Sequence, residues 1–532
     1  MSFAGSVRYP LRKSAAKASS DPSLAPHPPA CFTEGMPERV PAATLLLLRP
    51  APDGVEVALL RRNPKLPFLG GFWVFPGGRC ELNEDPAAAA AREAFEETGV
   101  LLGARPGPPD VEQARTDLIR GESGWEGEWA DRGADLVRCG LWLTPPFSVR
   151  RFETVFFMAW APTGAQLVPP PAAADPRGPE LLETVWIRPT AALERWARDE
   201  WLLAPPTRVT LSALADQLGT EAAPEQTISW LEGVASAVAA SHPENAEWPG
   251  WIDFRPGIRL LPLRTPTLLP ATHTNCLVVG DGSEVVAIDP ASPYPDEQER
   301  LAALIEELAQ GGQRLREVIL THHHPDHMGG AADLARRFGV PIAAHARTRE
   351  ILAGQLVVTR YLADGELIEL PADREGALPR RLRCVLTEGH ADGHLMFFEE
   401  VTQCVIAGDM VAGVGTILID PPEGRMLDYL ESLRRLADLG ATLLYPSHGP
   451  PIGDPRAYAE HYIAHRLGRE AKIVAALEMT GPSEIEGLLP HAYSDKPPAI
   501  YPLAKRAAWA HLLKLEAEGR ARLEGSLWSL VT

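Results

Sequence analysis

GGRCELNEDPAAAAAREAFEETGV, residues 77–100, is the stretch from which the first half of the chain is read. Asp85 stands before Pro86 and a run of alanines, the order of a helix start: the aspartate side chain accepts from free backbone N–H groups, and proline suits the first helical position. Gly99 marks the expected stop. On that helix Glu93, Glu96 and Glu97 stand at i, i+3 and i+4 and share one face. Like charges so placed repel, and hard divalent cations such as Mg2+ take carboxylate oxygens as ligands. Arg92, four residues before Glu96, is placed to orient one carboxylate while a metal takes the others. The Pro76–Gly78 loop lets backbone approach closely. For a few glutamates alone, the alternative is a solvated helix face laced with salt bridges.

Outward from this helix, Ala42 to Leu48 and Val55 to Leu60 read as a β-hairpin around a turn at Pro50 to Gly54. Further strands are expected at Phe72–Phe75, Cys139–Leu143, Thr154–Trp160 and Glu183–Ile187, with a helix after Pro189. The run Val168 to Pro179 reads as a loop, and Glu221 to Gly250 as a helix flanked by linker. Beyond it, Arg259–Pro262, Cys276–Val279, Val285–Ile288 and Glu317–Leu320 read as strands alternating with helices such as Asp296–Ala309. A third region begins near Pro455, with helices at Ile463–Glu478 and Leu503–Glu518 separated by a break at Gly481-Pro482.

Gly78, five residues, Glu84, seven residues, then Arg92-Glu93-Ala94-Phe95-Glu96-Glu97-Thr98-Gly99-Val100 resembles the Nudix box, with Ala94 at a usually larger hydrophobic position the one departure. The resemblance implies an α/β/α sandwich that hydrolyses a nucleoside diphosphate linked to another moiety. It implies Mg2+ or Mn2+ held by Glu93, Glu96 and Glu97 with support from Glu84, clamping the pyrophosphate and activating water. Gly78, Arg150 and Arg151 are candidates to meet substrate, with a solvated surface pair the alternative for the arginines. WVFPGG (residues 73–78), LWLTPPFSVRRFETVFFMAW (141–160) and LLAPPTRVTLSAL (202–214) further resemble the coenzyme A diphosphatases of the peroxisomal type. The last residues, Leu530-Val531-Thr532, are not the peroxisomal Ser-Lys-Leu address, so that location is not carried over.

THHHPDHMGG, residues 321–330, places His322, His324, Asp326 and His327 directly after an apolar strand. Imidazole and carboxylate in one cleft suit Zn2+. Partners follow in order: His390 in TEGHADGH, Asp409 in CVIAGDM and His448 in YPSHGP. The set resembles the metallo-β-lactamase superfamily, in the branch whose members hold two metals, and implies an αββα sandwich. The resemblance assigns His322, His324 and His390 to one zinc, Asp326, His327 and His448 to the other, and Asp409 as the bridge; iron or manganese suits the same ligands. It further implies a hydroxide nucleophile oriented by Asp326, since a bound metal lowers the pKa of water to about 7. His273, His323, His345 and His394 are left for structural or supporting roles. HRLGREAKIVAALE (465–478) and AKRAAWAHLLKLEAEGR (504–520) resemble the winged-helix-like tail of metallo-β-lactamase-fold endoribonucleases, with Lys505, Arg506 and Lys514 either meeting phosphate or lying on a solvated helix face.

At 532 residues the chain is too long for one core. The fold class is α+β, with an N-terminal arm at 1–38, a Nudix domain at 39–222, a linker at 223–252, a metallo-β-lactamase-fold domain at 253–455 and a winged-helix-like region at 456–532. Arg8, Arg12, Lys13 and Lys17 with no acid suggest a transit peptide, but Pro22, Pro26, Pro28 and Pro29 follow at once and favour a disordered arm. A net charge of -19 argues against non-specific duplex binding. Cys31, Cys80, Cys139, Cys276, Cys384 and Cys404 form no CxxC pair or disulfide framework and point to a reducing cytoplasm. No apolar run approaches a membrane span.

Three functions follow as expectations. The first is a bifunctional hydrolase, acting on a CoA-like pyrophosphate and on an ester or thioester. The second is a single-strand endoribonuclease joined to an RNA-cap or nucleotide pyrophosphatase. The third makes the Nudix half a ligand sensor controlling the other half.

Overall fold

The computed structural model describes residues 39–531 except 53, 67–68, 104–109, 123–130, 146–147, 149–150, 171–178, 219–225 and 243–249. The expected N-terminal arm, Arg150, most of the Pro/Ala-rich loop and parts of the expected linker lie outside the described residues.

Leu45 to Leu48 are all fully buried, although a strand on a one-sided sheet would alternate. Their strand is central and covered on both faces. The first sheet comprises β1 (Arg39–Ala51), β2 (Gly54–Arg62), β3 (Trp73–Val74), β4 (Gly77–Arg79), β5 (Val137–Leu143), β6 (Arg151–Trp160) and β7 (Leu181–Ile187). Its order is β3-β2-β1-β6-β5, with β4 beside β1 and β7 beside β2; β1 and β6 run parallel. Ala43, Leu45 and Leu47 meet the alanine-rich helix Pro86–Thr98 through Ala89, Ala90 and Phe95. Leu46 and Leu48 face the other way, toward Leu211 and Leu214 of helix Pro205–Leu218 and Leu231 and Val234 of helix Ile228–Ser241. This is the α/β/α sandwich. Helix Ile228–Ser241, inside the stretch expected to link two domains, is thus part of the first module's wall, and the next described segment already pairs with the second module's sheet.

That second module has two facing sheets. One runs in order from β14 back to β8: β8 (Ile252–Arg255), β9 (Ile258–Arg264), β10 (His273–Val279), β11 (Glu284–Ile288), β12 (Arg314–Ile319), β13 (Ile342–His345) and β14 (Arg360–Leu362). The other is β15 (Leu367–Leu370), β16 (Arg380–Leu386), β17 (Leu395–Glu399), β18 (Cys404–Gly408) and β19 (Leu443–Pro446), in that order. Leu260, Val279 and Ile288 interdigitate with Leu382, Phe397 and Ile406 between them. Helices Pro295–Gln310 and Ala331–Phe338 cover one outer face, and helices Met426–Asp438 and Pro455–Thr480 the other, giving αββα.

The helix expected to start at Ile463 starts at Pro455, because Asp454 caps it by accepting from the Ala457 N–H at 3.0 Å. Its first half gives Ala459 and Tyr462 to the second module, and its second half gives Ile473 and Leu477 to the tail, so one helix serves both cores. The tail adds helices Ile485–Ala492 and Tyr501–Ala517 and a hairpin of β20 (Ala521–Glu524) and β21 (Leu527–Leu530), whose Trp528 is buried under them. The three cations considered for phosphate are engaged: Lys514 is buried against Glu470 at 2.8 Å and Glu518 at 2.9 Å, Lys505 pairs with Glu486, and Arg506 with Asp420. Among the described residues, no helix is long and apolar enough to cross a membrane.

The two modules share a core. Phe72, from the first, lies with Phe254 between the sheets of the second, ring centroids 5.6 Å apart and nearly perpendicular. Burying one such side chain contributes about 1.5–3 kcal/mol. Polar contacts flank it: Arg255 reaches Asp199 at 2.6 Å and Thr442 at 3.0 Å, and the Trp196 indole N–H donates to the Phe254 carbonyl at 3.2 Å. Gly453 approaches the Gly70 carbonyl so closely that a Cβ would meet its oxygen at 2.0 Å.

Candidate active sites

In the first module, Asp85 caps the helix as its sequence dictates, accepting from the Ala87 and Ala88 N–H groups, and Gly99 ends it in the left-handed region at φ 73°. Arg92 does more than hold one carboxylate. Its guanidinium donates to Glu84 at 2.8 and 3.0 Å, to Glu93 at 3.1 Å, to Glu96 at 2.9 Å and to the Arg79 carbonyl at 3.0 Å. Glu97 turns instead to the Gly77 N–H, 2.9 Å away. Gly78 sits so near the Glu93 carboxylate that a Cβ would come within 2.4 Å of it, so glycine here makes room for the glutamate as well as lining the cleft.

One guanidinium among four carboxylates leaves an uncompensated negative cluster. Burial, then Glu96, pushes the Glu93 carboxyl up to about 7, and burial with Glu93 beside it holds Glu97 well above the ordinary carboxylate range. Such a donor set fits a hard divalent cation. A raised carboxyl is stabilising in its protonated form, so its contribution is present below about pH 4.5 and lost as pH rises through about 7. A cation replaces the proton. Added Mg2+ is therefore expected to raise Tm by several degrees at pH 8 and by much less at pH 5, which paired thermal melts would read; equal shifts at both values would refute it.

Glu93 and Glu97 line a cavity of about 440 Å3 together with Gly77, Arg79 and Arg62. Arg151 is not on its wall. It is buried at the start of β6, its Nε donating to the Thr144 carbonyl at 3.1 Å.

In the second module the residues expected to hold metal converge. His322, His324 and His390 each offer a ligand atom, all within 4.8 Å of one another; so do Asp326, His327 and His448, and so do His322, His327 and Asp409. Asp409 stands between the triads, 3.5 Å from His390 Nε2, 3.5 Å from His327 Nε2 and 3.4 Å from His448 Nε2. Asp326 lies 3.7 Å from His448 Nε2. Strand β12 delivers the first group, β18 delivers Asp409 and β19 delivers His448, so the edge where these strands end supplies most of the centre.

Four of the five rings, those of His322, His327, His390 and His448, are turned by a bond at the far nitrogen. His390 Nδ1 donates to the Leu418 carbonyl at 3.0 Å and His448 Nδ1 to the His273 carbonyl at 2.9 Å. A carbonyl only accepts, so the proton sits on Nδ1 and the Nε2 lone pair faces the centre. His327 Nδ1 meets Asp289 at 2.8 Å and His322 Nδ1 meets Thr321 at 2.9 Å. The inward atoms His322 Nε2, His327 Nε2 and Asp409 Oδ1 are buried without a hydrogen-bond partner, which is costly unless a cation takes them. Charge is distributed to match. Burial and neighbouring imidazoles hold His322 neutral, well below its ordinary range, and burial pushes His390 down to about 4. Against burial, Asp409 and Asp289 raise His327, and Asp409 raises His448: the carboxylates draw positive charge to this point.

Supporting residues complete the centre. His394, left for such a role on its position, accepts from the Asp409 N–H at 3.0 Å, and His323 lies 3.2 Å from Glu423. His345 caps the following helix by accepting from the Arg347 N–H at 3.3 Å. Sequence reading missed Asp289 and Glu423. Asp289 accepts from Thr321 through both its N–H and hydroxyl, at 2.8 and 2.7 Å, as well as facing His327. Its signal was available, an aspartate closing the apolar strand that pairs with the histidine-bearing one. Asp289→Ala is expected to weaken metal affinity about 10–100-fold, measurable by chelator competition; an unchanged affinity would exclude the orienting role. Glu423 lies 3.2 Å from His323 and 3.8 Å from His324, and only the folded chain brings it there.

Three family models match successive parts of the chain. A NUDIX domain model matches residues 38–203, a metallo-beta-lactamase superfamily model 269–448 and a beta-lactamase associated winged helix domain model 485–528. The chain is 28% identical over 231 residues to a Beta-lactamase-like protein 2 homolog from Caenorhabditis elegans, covering 43% of this chain and 73% of that one. It is 33% identical to the Lactamase-like protein adaB of Aspergillus niger, covering 40% of this chain and 61% of that one. It is 30% identical to an Atrochrysone carboxyl ACP thioesterase of Aspergillus fumigatus, covering 40% and 62%. Among solved structures, a NUDIX hydrolase from Alicyclobacillus acidocaldarius is 30% identical with a TM-score of 0.29, covering 34% of this chain and 93% of that one.

Proposed function

Because this chain is a hydrolase in which a NUDIX domain, a metallo-beta-lactamase domain and a beta-lactamase associated winged helix domain follow one another, we propose that its two hydrolytic modules act on different bonds. The first cleaves a diphosphate joining a nucleotide to another group, with a CoA-like molecule as substrate. The second hydrolyses an ester or thioester. The observation that carries the first reading is the pair of half-buried carboxylates, Glu93 and Glu97, on the wall of a cavity of about 440 Å3. For the second it is the convergence of His and Asp around Asp409, supported by the thioesterase named among the relatives.

In this reading Glu93, Glu96 and Glu97, with Glu84, hold Mg2+ or Mn2+, and Arg92 fixes where three of those carboxylates point. His322, His324 and His390 hold one zinc, Asp326, His327 and His448 a second, and Asp409 faces both. When bound, the ions supply charge neutralisation and activation of water near neutral pH. Asp326 accepts a hydrogen bond from the attacking water and orients it. His394 and Asp289 keep Asp409 and His327 in place. The RNA reading has less support, because Lys505, Arg506 and Lys514 are each held by carboxylates.

The test incubates the full chain with CoA and Mg2+. Release of adenosine 3',5'-bisphosphate and phosphopantetheine is expected, and the absence of both would remove the CoA assignment. A parallel panel of esters, thioesters and labelled single-stranded RNA on the zinc-loaded protein assigns the second module; RNA cleavage without ester or thioester turnover would replace that reading.

A further inference from the structure

The cavity beside Glu93 and Glu97 is not built by the first module alone. Ile252, Phe254, Pro450 and Pro451, all from the second module, line it too, opposite in origin to the Nudix-box glutamates and glycines. These four residues are apolar, and the first module adds Phe72 and Pro205 to the same lining. A diphosphate and its cation have no use for such a surface, since apolar walls neither pair with phosphate oxygens nor replace their water. At about 440 Å3 the cavity also falls within the ~300–1,000 Å3 range of sites that enclose a whole small molecule.

The wall is fixed in place before any ligand arrives. Phe254 is packed against Phe72 in the shared core. The segment carrying Pro450 is tied down on both sides: Asn275 Nδ2 donates to the Pro446 and Gly449 carbonyls at 2.8 Å, and the Gly413 N–H donates to the His448 carbonyl at 2.7 Å. A preorganised apolar surface gains affinity for an apolar group without first ordering itself.

We infer that the second module donates one wall of the diphosphate hydrolase's substrate cavity, and that Phe254, Pro450 and Pro451 there select for an apolar group carried on the diphosphate substrate. This rests on the diphosphate-hydrolase reading of the first module. The substrate class it names is a nucleotide diphosphate with an apolar extension, and the first module is a complete enzyme only when joined to the second.

The test compares CoA with S-octyl-CoA, whose thioether bond a thioesterase does not cleave, so the second site cannot consume it. Both are assayed with Mg2+ on the full chain, on Pro450→Trp, which fills the wall, and on Pro450→Ala, which trims it. For the unsubstituted protein, kcat/KM for S-octyl-CoA is expected to exceed that for CoA. Pro450→Trp is expected to lower the S-octyl-CoA to CoA ratio about tenfold, mostly through KM, and Pro450→Ala to lower it about threefold; thermal melts check that both fold. A ratio that stays unchanged in both folded variants while the parent cleaves CoA would overturn the inference and leave the diphosphate reading standing. If Pro450→Trp fails to fold, Pro450→Ala alone decides. No cleavage of either compound by the parent would overturn both.

Discussion

Asp409→Ala is expected to cost the second module about 10³-fold or more in hydrolysis and to strip metal from it, while diphosphate hydrolysis by the first module persists. The reason is the position of Asp409 within about one ligand length of three imidazoles at once, His327, His390 and His448. His448 and His327 hold its carboxyl well below the usual range in spite of its burial, so the charged form is the favoured one. Removing it leaves the two histidine groups without the anion they share, and Asp326 as the one remaining carboxylate among the proposed ligands to offset two dications. Metal content by elemental analysis, with thioester turnover on the same sample, reads the effect. Two metals retained with near-normal turnover would remove Asp409 from the centre.

Glu97→Gln is expected to lower diphosphate hydrolysis by roughly 10²–10⁴-fold and to leave the second module's turnover as it was. The substitution is close to isosteric, and the amide oxygen still accepts from the Gly77 N–H, so the geometry is kept while the charge is lost. Stability separates this from simple damage. Glu97 is a half-buried carboxylate next to Glu93, and its protonated form is the one the fold favours. Removing that charge is expected to raise the Tm of the metal-free protein at pH 8 even as activity falls. A variant that loses both activity and Tm would have been merely disrupted, and one that keeps activity would exclude Glu97 from the site.

Much of this was legible along the chain. The helix Pro86–Thr98 begins and ends where Asp85, Pro86 and Gly99 require, because caps and breakers act within a turn of themselves. The hairpin at the N-terminal end of the first sheet and the strands before Asp289, Asp409 and His448 follow from short apolar runs bounded by turn residues. The long helix was expected too late, at Ile463 rather than Pro455, because its amphipathic pattern changes partners halfway: one core ends near Tyr462 and another begins near Ile473. The three tail cations could not be placed from sequence, since Glu470, Asp420 and Glu486, which hold Lys514, Arg506 and Lys505, lie 44, 86 and 19 residues away.

The sequence by itself determined the chemistry available: which residues carry oxygen or imidazole, at what local spacing, and on which elements they sit. Those are short-range properties, set by helical and strand periodicity within a few residues. Only the tertiary structure decided what each group faces. It brought Asp289 and Glu423 to the histidines, gathered three glutamates around Arg92, and set Phe254 and Pro450 against the other module's glutamates in one cavity. The contacts of Asp289, Glu423, Phe254 and Pro450 join segments tens to hundreds of residues apart, and the shared cavity wall depends on the packing of the two modules at Phe72, which no local pattern encodes.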